Sequence, residues 1–272
     1  TFAAQEGEDG TGPKLRLRPE SFADHYSQAR QFYRSMSEPE QRHIKNAFAF
    51  ELSKIETPAI RSRMLGHLSL VEETLARAVE TAIGMEGQRA EITAYRAPVD
   101  LDPSPALSLV GKAKPILKGR KIGALVTDGA DGDRLEALRE VLEEEGAQLA
   151  IVAPKIGGVR LKSGKHLAAD MALSGAPSVF FDGVAIFASA EAVGPLVKNS
   201  AAIDWVRDAF GHFKVIGHTG EAQPLFAKAG LTEDIDEGVI ELGAPTNIRR
   251  YIEAAKQQRV WDREARLSGD EV

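Results

Sequence analysis

The chain has 272 residues, 43% of them hydrophobic and 27% charged, so it can hold one large or two modest domains with a real core; collagen-like, coiled-coil and wholly disordered architectures are excluded. The net charge of −6 and a pI near 5.6 argue against a general nucleic-acid binder, and no apolar run approaches the ~20 residues of a membrane span. Cys is absent, which removes disulfides, thiolate chemistry and Cys-ligated metals and suits a reducing cytoplasm.

The chain opens without Met or a secretory pattern, so its start reads as that of a processed or excised piece. Residues 1–17 are Gly-rich and mixed in charge and predict an N-terminal arm. Residues 18–85 predict a small all-α unit of about four helices. Ser37 and Glu40 form a capping box with Pro39 in the first turn. Ile44, Ala47, Phe48, Leu52 and Ile55 follow at helical spacing. Thr57-Pro58 starts a short helix, and a further one starts near Ser69. That last helix would carry Leu68, Val71, Leu75, Ala78, Val79, Ala82 and Ile83 on one face and end at Gly84.

Residues 86–117 lose periodicity. Pro98, Pro103, Pro105 and Pro115 break any element, Asp100 and Asp102 keep the stretch wet, and the whole reads as an extended, semi-stiff linker. From Lys118 strand and helix alternate. KIGALVTDGA (121–130), QLAIVAP (148–154), SVFFDGVAIF (178–187, leading into a turn at Asp182-Gly183), KVIGHTG (214–220) and GVIEL (238–242) predict strands. Helices are expected over 133–145, stopped by Gly146, around Ile203 to Phe213, over 221–229, and as one closing helix over 247–264. A hairpin is expected in 159–167 at Ser163-Gly164. The pattern defines the fold class as α/β: the helical unit, a linker, and over 118–272 a flavodoxin-like doubly wound parallel sheet.

In such sheets ligands sit beyond the carboxyl ends of the strands. The residues expected there are Asp128, Asp182 and His218-Thr219. One reading joins them into an acid–base site with His218 titrating near neutral pH. The other makes them caps and turn formers, and it is preferred because no strong nucleophile accompanies them. The loop TDGADGD lacks G-x-G-x-x-G and a P-loop Lys, and Asp128, Asp131 and Asp133 would repel phosphate. It does not meet the D-x-[DN]-x-[DN]-G calcium pattern either. The six His residues (25, 43, 67, 166, 212 and 218) show no metal-binding spacing. Glu143-Glu144-Glu145 reads as a solvated helix end.

Three blocks in the helical stretch carry a family signal: FYRSMSEPEQRHI (32–44), FELSKI (50–55) and TPAIRSRM (57–64). They resemble, in the same order, the helical domain that follows the haem barrel in large-subunit catalases. The chain after Lys118 resembles the C-terminal flavodoxin-like domain of those enzymes, which is similar to the DJ-1/PfpI superfamily. The resemblance implies a parent that dismutates hydrogen peroxide to water and oxygen with haem, in the cytoplasm, as a homotetramer. Its partners would be the haem barrel and sister subunits, with neither nucleic acid nor membrane. In the family a Tyr set in Arg-x-x-x-Tyr binds the iron. None of Tyr26, Tyr33, Tyr95 and Tyr251 has Arg four residues earlier, so no catalytic, cofactor-binding or metal-binding residue is assigned to this chain. It is expected to be inactive alone and to stabilise the tetramer, with a chaperone-like contribution to folding as a further role.

In the DJ-1/PfpI superfamily a Cys stands on a tight turn after a strand. Here Ile216-Gly217-His218-Thr219-Gly220 is similar, with His218 in the place of the thiol, and the superfamily's Gly-Gly turn resembles Asp182-Gly183. The implied site has lost its nucleophile. The rival readings are a stand-alone α/β hydrolase or a small-molecule binding module centred on His218 with Asp128 or Asp182. A last expectation is an exposed apolar surface around Phe22, Tyr26, Phe32 and Tyr33.

Overall fold

The computed structural model describes residues 16–268, so the arm expected over 1–17 falls almost wholly outside the described residues. The chain divides between Lys112 and Ala113 into two compact units.

The first unit is built on four helices: α1 (Ser27–Arg34), α2 (Glu38–Ser53), α3 (Pro58–Val71) and α4 (Glu73–Ala82). Their apolar stripes converge on Tyr33, Leu52, Leu65, Leu68, Leu75, Ala76 and Val79. The Ser37–Glu40 capping box starts α2 as its sequence requires. The α3 boundary differs from expectation. The helix runs on through Ser69 to Val71, and α4 starts at Glu73, whose amide is capped by the Glu72 carboxylate at 3.1 Å. The stripe from Leu68 to Ile83 is therefore shared by two helices. Gly84, at φ 65°, ends α4 in the left-handed conformation only Gly adopts freely.

Residues 86–112 have little regular structure, yet they are no free spacer. They form a strap bound along the helices. Arg89 forks onto Glu73 at 2.7 and 2.8 Å, and the Val99 amide donates to the Ser27 hydroxyl. Asp100, expected to stay hydrated, accepts from both Arg30 and Arg34 at 2.7 and 3.0 Å. Glu40 is the hub at the far end. Besides Ser37 it accepts from the Ser108 hydroxyl and from the Leu109 and Val110 amides. Burial works to raise its pKa, but the hydrogen bonds from Ser37, Ser108 and Val110 outweigh that and bring it down to about 2. Glu40→Gln is expected to destabilise the strap by about 1–3 kcal/mol and to speed amide exchange at Leu109 and Val110 in the whole chain. Because the folded pKa is depressed, this stabilisation is complete above about pH 4.5 and is lost as the pH falls toward 2.

The expected apolar patch is only half present. Phe22 and Phe32 are exposed, but Tyr26 and Tyr33 are 8% and 3% exposed. Tyr26 is drawn inward by a 2.8 Å hydrogen bond to His67 Nδ1, and Tyr33 by the helical core.

The second unit begins its regular structure with β1 (Lys121–Val126), followed by α5 (Gly132–Glu144), β2 (Gln148–Ala153) and a short antiparallel hairpin of β3 (Val159–Arg160) and β4 (His166–Leu167). Next come β5 (Met171–Ala172), β6 (Gly183–Phe187), α6 (Ala190–Leu196), α7 (Ser200–Gly211) and β7 (Ile216–His218). The unit closes with α8 (Gln223–Ala229), β8 (Val239–Glu241), α9 (Pro245–Lys256) and α10 (Asp262–Ser268). The sheet order is β5-β2-β1-β6-β7-β8, with every described ladder parallel. Its five principal strands follow the flavodoxin-type order 2-1-3-4-5. β5 adds two residues at one edge, and β8 forms a three-residue edge at the other.

Alternation along each strand divides the core in two. Ile122, Ala124 and Val126 of β1 and Ala185 and Phe187 of β6 face α5 and α9. Leu125, Val184 and Ile186 face α7 and α8. Gly123 is needed because a Cβ there would lie 2.5 Å from the Phe181 ring laid across β1.

Two expectations are corrected. The segment 178–187 is not one strand: residues 178–180 form a 3-10 turn, and β6 starts only at Gly183. Asp182 thus precedes the strand. Its carboxylate accepts from the Lys121 amide at 2.9 Å and Arg120 at 3.0 Å, which fixes it at the amino end of the sheet. The closing helix is also two helices. Gln258 turns to φ 68° between them, and the Val260 amide donates to the Phe213 carbonyl at 2.8 Å.

Candidate functional site

The carboxyl edge of the sheet gathers the ends of β1, β6 and β7. Thr127, Asp128, Ser189, His218 and Thr219 leave the strands there because parallel neighbours in register end together. The polar groups are largely consumed by one another. The Ser189 amide donates to Thr127 Oγ1 at 3.1 Å, and its hydroxyl donates to the Asp128 carbonyl at 2.7 Å. Ser189 Oγ also accepts from the Ala192 amide as the N-cap of α6. Thr219 Oγ1 is placed between the Ala188 amide and carbonyl, each at 3.2 Å. The Asp128 carboxylate accepts from the Arg160 amide at 2.7 Å and so anchors the β3–β4 hairpin. Asp131, likewise, caps α5.

His218 is 6% exposed. Its Nδ1 lies 3.0 Å from the Thr219 carbonyl, and its ring centroid lies 4.9 Å from that of Phe226. Burial lowers its pKa below 6.5, against opposing contributions from the Thr219 hydrogen bond and the charge of Glu241. The folded state therefore binds this proton less readily than the unfolded chain, and stability falls as pH drops through 6.5. His218→Gln is expected to shrink the fall in the urea midpoint between about pH 7.5 and about pH 5.5. A variant that keeps the whole fall would show that the ring titrates normally.

Three clefts open along this edge. One, of about 550 Å³, lies over Asp128, Ser189, Glu191 and Asn199. A second, of about 760 Å³, lies between the hairpin cations Arg160 and Lys162 and the carboxylates Glu191 and Glu221. The third, of about 850 Å³, holds His218, Glu221 and Glu241. Asp128 and His218 line different clefts, and neither hydrogen-bonds the other. Asp182 sits at the opposite end of the sheet, and so the triad that the strand pattern suggested is not assembled. The hydroxyl of Ser189 meets backbone groups rather than a base, so it lacks the activation a nucleophile needs. Glu241 and Ser189 were not singled out from sequence. Their positions, fourth in GVIEL and second after AIF, were the available signal.

The test for haem goes the same way. A haem needs an axial ligand facing an apolar pocket. Tyr26 is bonded to His67, Tyr33 is buried in the helical core, and Tyr251 is fully buried with its hydroxyl donating to the Val184 carbonyl at 3.0 Å. Tyr95 is 87% exposed. The tyrosines of this chain therefore do not fit as iron ligands. Among the described residues no three His, Asp or Glu side chains converge to hold a metal ion, and no helix is long and apolar enough to cross a membrane.

A doubly wound parallel sheet of this order, with helices on both faces, is an α/β domain of the flavodoxin class, and the Ser189 and Thr219 hydroxyls at its strand ends bond backbone groups. The chain belongs to the family described as the C-terminal domain found in long catalases, whose pattern matches residues 118–265. Residues 19–83 match a second family, described as catalase-related immune-responsive. The chain is 49% identical over 254 residues to Catalase C of Rhizobium meliloti, which covers 93% of this chain and 36% of that protein. It is 35% identical to Catalase HPII of Pseudomonas aeruginosa, over 94% and 35% of the two chains, and 30% identical to Catalase-2 of Bacillus subtilis, over 93% and 36%. It thus spans about a third of the length of the curated relatives it matches.

Proposed function

We propose that this chain is the non-catalytic C-terminal portion of a long haem catalase that dismutates hydrogen peroxide in the cytoplasm. In this reading the four-helix unit packs on the haem barrel, and the α/β unit stabilises a homotetramer with sister subunits. The observation that carries the reading is the coverage: one sequence spans both family patterns in order, 19–83 and 118–265. The backbone hydrogen bonds that occupy the Ser189 and Thr219 hydroxyls support a structural role, since neither hydroxyl faces a base that could activate it.

Two measurements test it. The purified 272-residue chain, incubated with haem, is expected to evolve no oxygen from peroxide above the rate of free haem. In the whole catalase, removing the stretch that corresponds to 118–272 is expected to shorten the half-life of the tetramer on heating while turnover per haem stays within about twofold. Vigorous oxygen evolution by the chain alone, or a shortened enzyme as durable as the intact one, would overturn the proposal.

A further inference from the structure

We propose that the cleft at the ends of β7 and β8 is a binding site for a small organic cation, an ammonium or guanidinium group carried on an apolar body. This site is independent of the scaffold role above. Its volume of about 850 Å³ falls within the range of small-molecule pockets. Its charged and titratable groups are Glu221, Glu241 and His218, beside the neutral Gln223 and Thr232, and its apolar side carries Phe226, Ile235 and Val239.

The hydrogen-bonding chemistry fixes the sign of the ligand. His218 and Glu241 are register partners on adjacent parallel strands, so their side chains leave the sheet on the same face. His218 is buried by more than nine-tenths. Its Nδ1 faces the Thr219 carbonyl, which can only accept, so Nδ1 carries the proton. The neutral ring then offers Nε2 as an acceptor, and Nε2 has no partner among the described residues. Burial keeps the ring neutral near pH 7, as its lowered pKa requires. Both carboxylates are exposed and without an ion-pair partner among the described residues. Three acceptors thus border one cleft, and no Lys or Arg lines it. An anion would meet two negative charges there with no cation to offset them. A metal ion is disfavoured by the donors themselves, because the three side chains do not converge to coordination distance. An amine suits what remains: its N–H groups can donate to Nε2 and the carboxylates, and its carbon body can lie along Phe226, Ile235 and Val239.

The test uses phenethylamine as the probe and phenylacetate, of like shape and opposite charge, as the control. Binding to the whole chain is followed by the His218 ring resonances and by equilibrium dialysis. Phenethylamine is expected to saturate in the millimolar range and to move the His218 signals. Glu221→Gln combined with Glu241→Gln is expected to weaken it by about tenfold while the thermal midpoint stays unchanged. Phenylacetate is expected not to bind. Absence of saturation, equal binding of phenylacetate, equal affinity in the double variant, or displacement of the amine by millimolar calcium would each overturn the proposal.

Discussion

Arg263→Met is expected to destabilise the α/β unit by about 3–5 kcal/mol, the cost of leaving a buried partner charge unpaired. Arg263 is 1% exposed. Its guanidinium forks onto Asp236 at 2.6 and 2.8 Å and donates to the Phe210 and Lys214 carbonyls at 3.1 and 2.9 Å. It also lies over the Phe210 ring, 3.9 Å from the centroid. One side chain therefore ties α10, the end of α7 and the loop before β8. Removing it strands the Asp236 carboxylate away from water. Replacing both partners, with Asp236→Leu added, is expected to recover much of the loss, because the stranded charge goes with it. Urea denaturation of the single and double variants gives both numbers. A single variant within about 1 kcal/mol of the parent would show that the pair is not buried in solution.

Trp205→Ala is the second large effect, again about 3–5 kcal/mol. The indole is 1% exposed in the core between the sheet and α7. Its N–H donates to the Ala176 carbonyl at 2.9 Å, and its ring is tilted against Phe181 at 6.3 Å. The substitution opens a cavity, and it also orphans a carbonyl in the irregular segment that leads into β6. Trp205→Phe keeps most of the packing and loses only the hydrogen bond, so it is expected to cost about 1–2 kcal/mol. Amide exchange at Phe181 should rise more in the alanine variant than in the phenylalanine one. Equal stability of the two variants would remove the packing argument.

The residues legible in the sequence were those with a local pattern. KIGALV, QLAIVA and the Leu135, Leu138 and Leu142 stripe announced β1, β2 and α5, because burial on both faces of a parallel strand and on one face of a helix writes a recognisable run. The family blocks at 32–44, 50–55 and 57–64 pointed to a long catalase, and the family patterns agree. What escaped depends on partners distant in sequence. α6 carries Gly194 and an internal Pro195, so its propensity speaks against the helix that tertiary packing enforces. β5 is two residues long and has no period to read. Asp182-Gly183 looked like a turn after a strand, but the Lys121 amide and Arg120 guanidinium hold it before one. The strap over 86–112 had the composition of a linker. Only the fold brings Glu40 and the Arg30–Arg34 pair beneath it. The buried cations Arg263 and Lys214 were invisible for the same reason. Lys214 reaches the Ser178 and Phe181 carbonyls at 2.7 and 2.6 Å, and burial brings its pKa down to about 8, with the nearby charge of Arg259 adding to the effect.

The sheet's two outer strands, Met171–Ala172 and Val239–Glu241, are only two and three residues long. Each therefore offers little unpaired backbone to a foreign strand, and the β8 rim ends on the charged Glu241. Crowded at high concentration, such a domain is poorly templated for fibril growth. Its apolar interior can be rich in Val, Ile and Ala without making the protein prone to stacking.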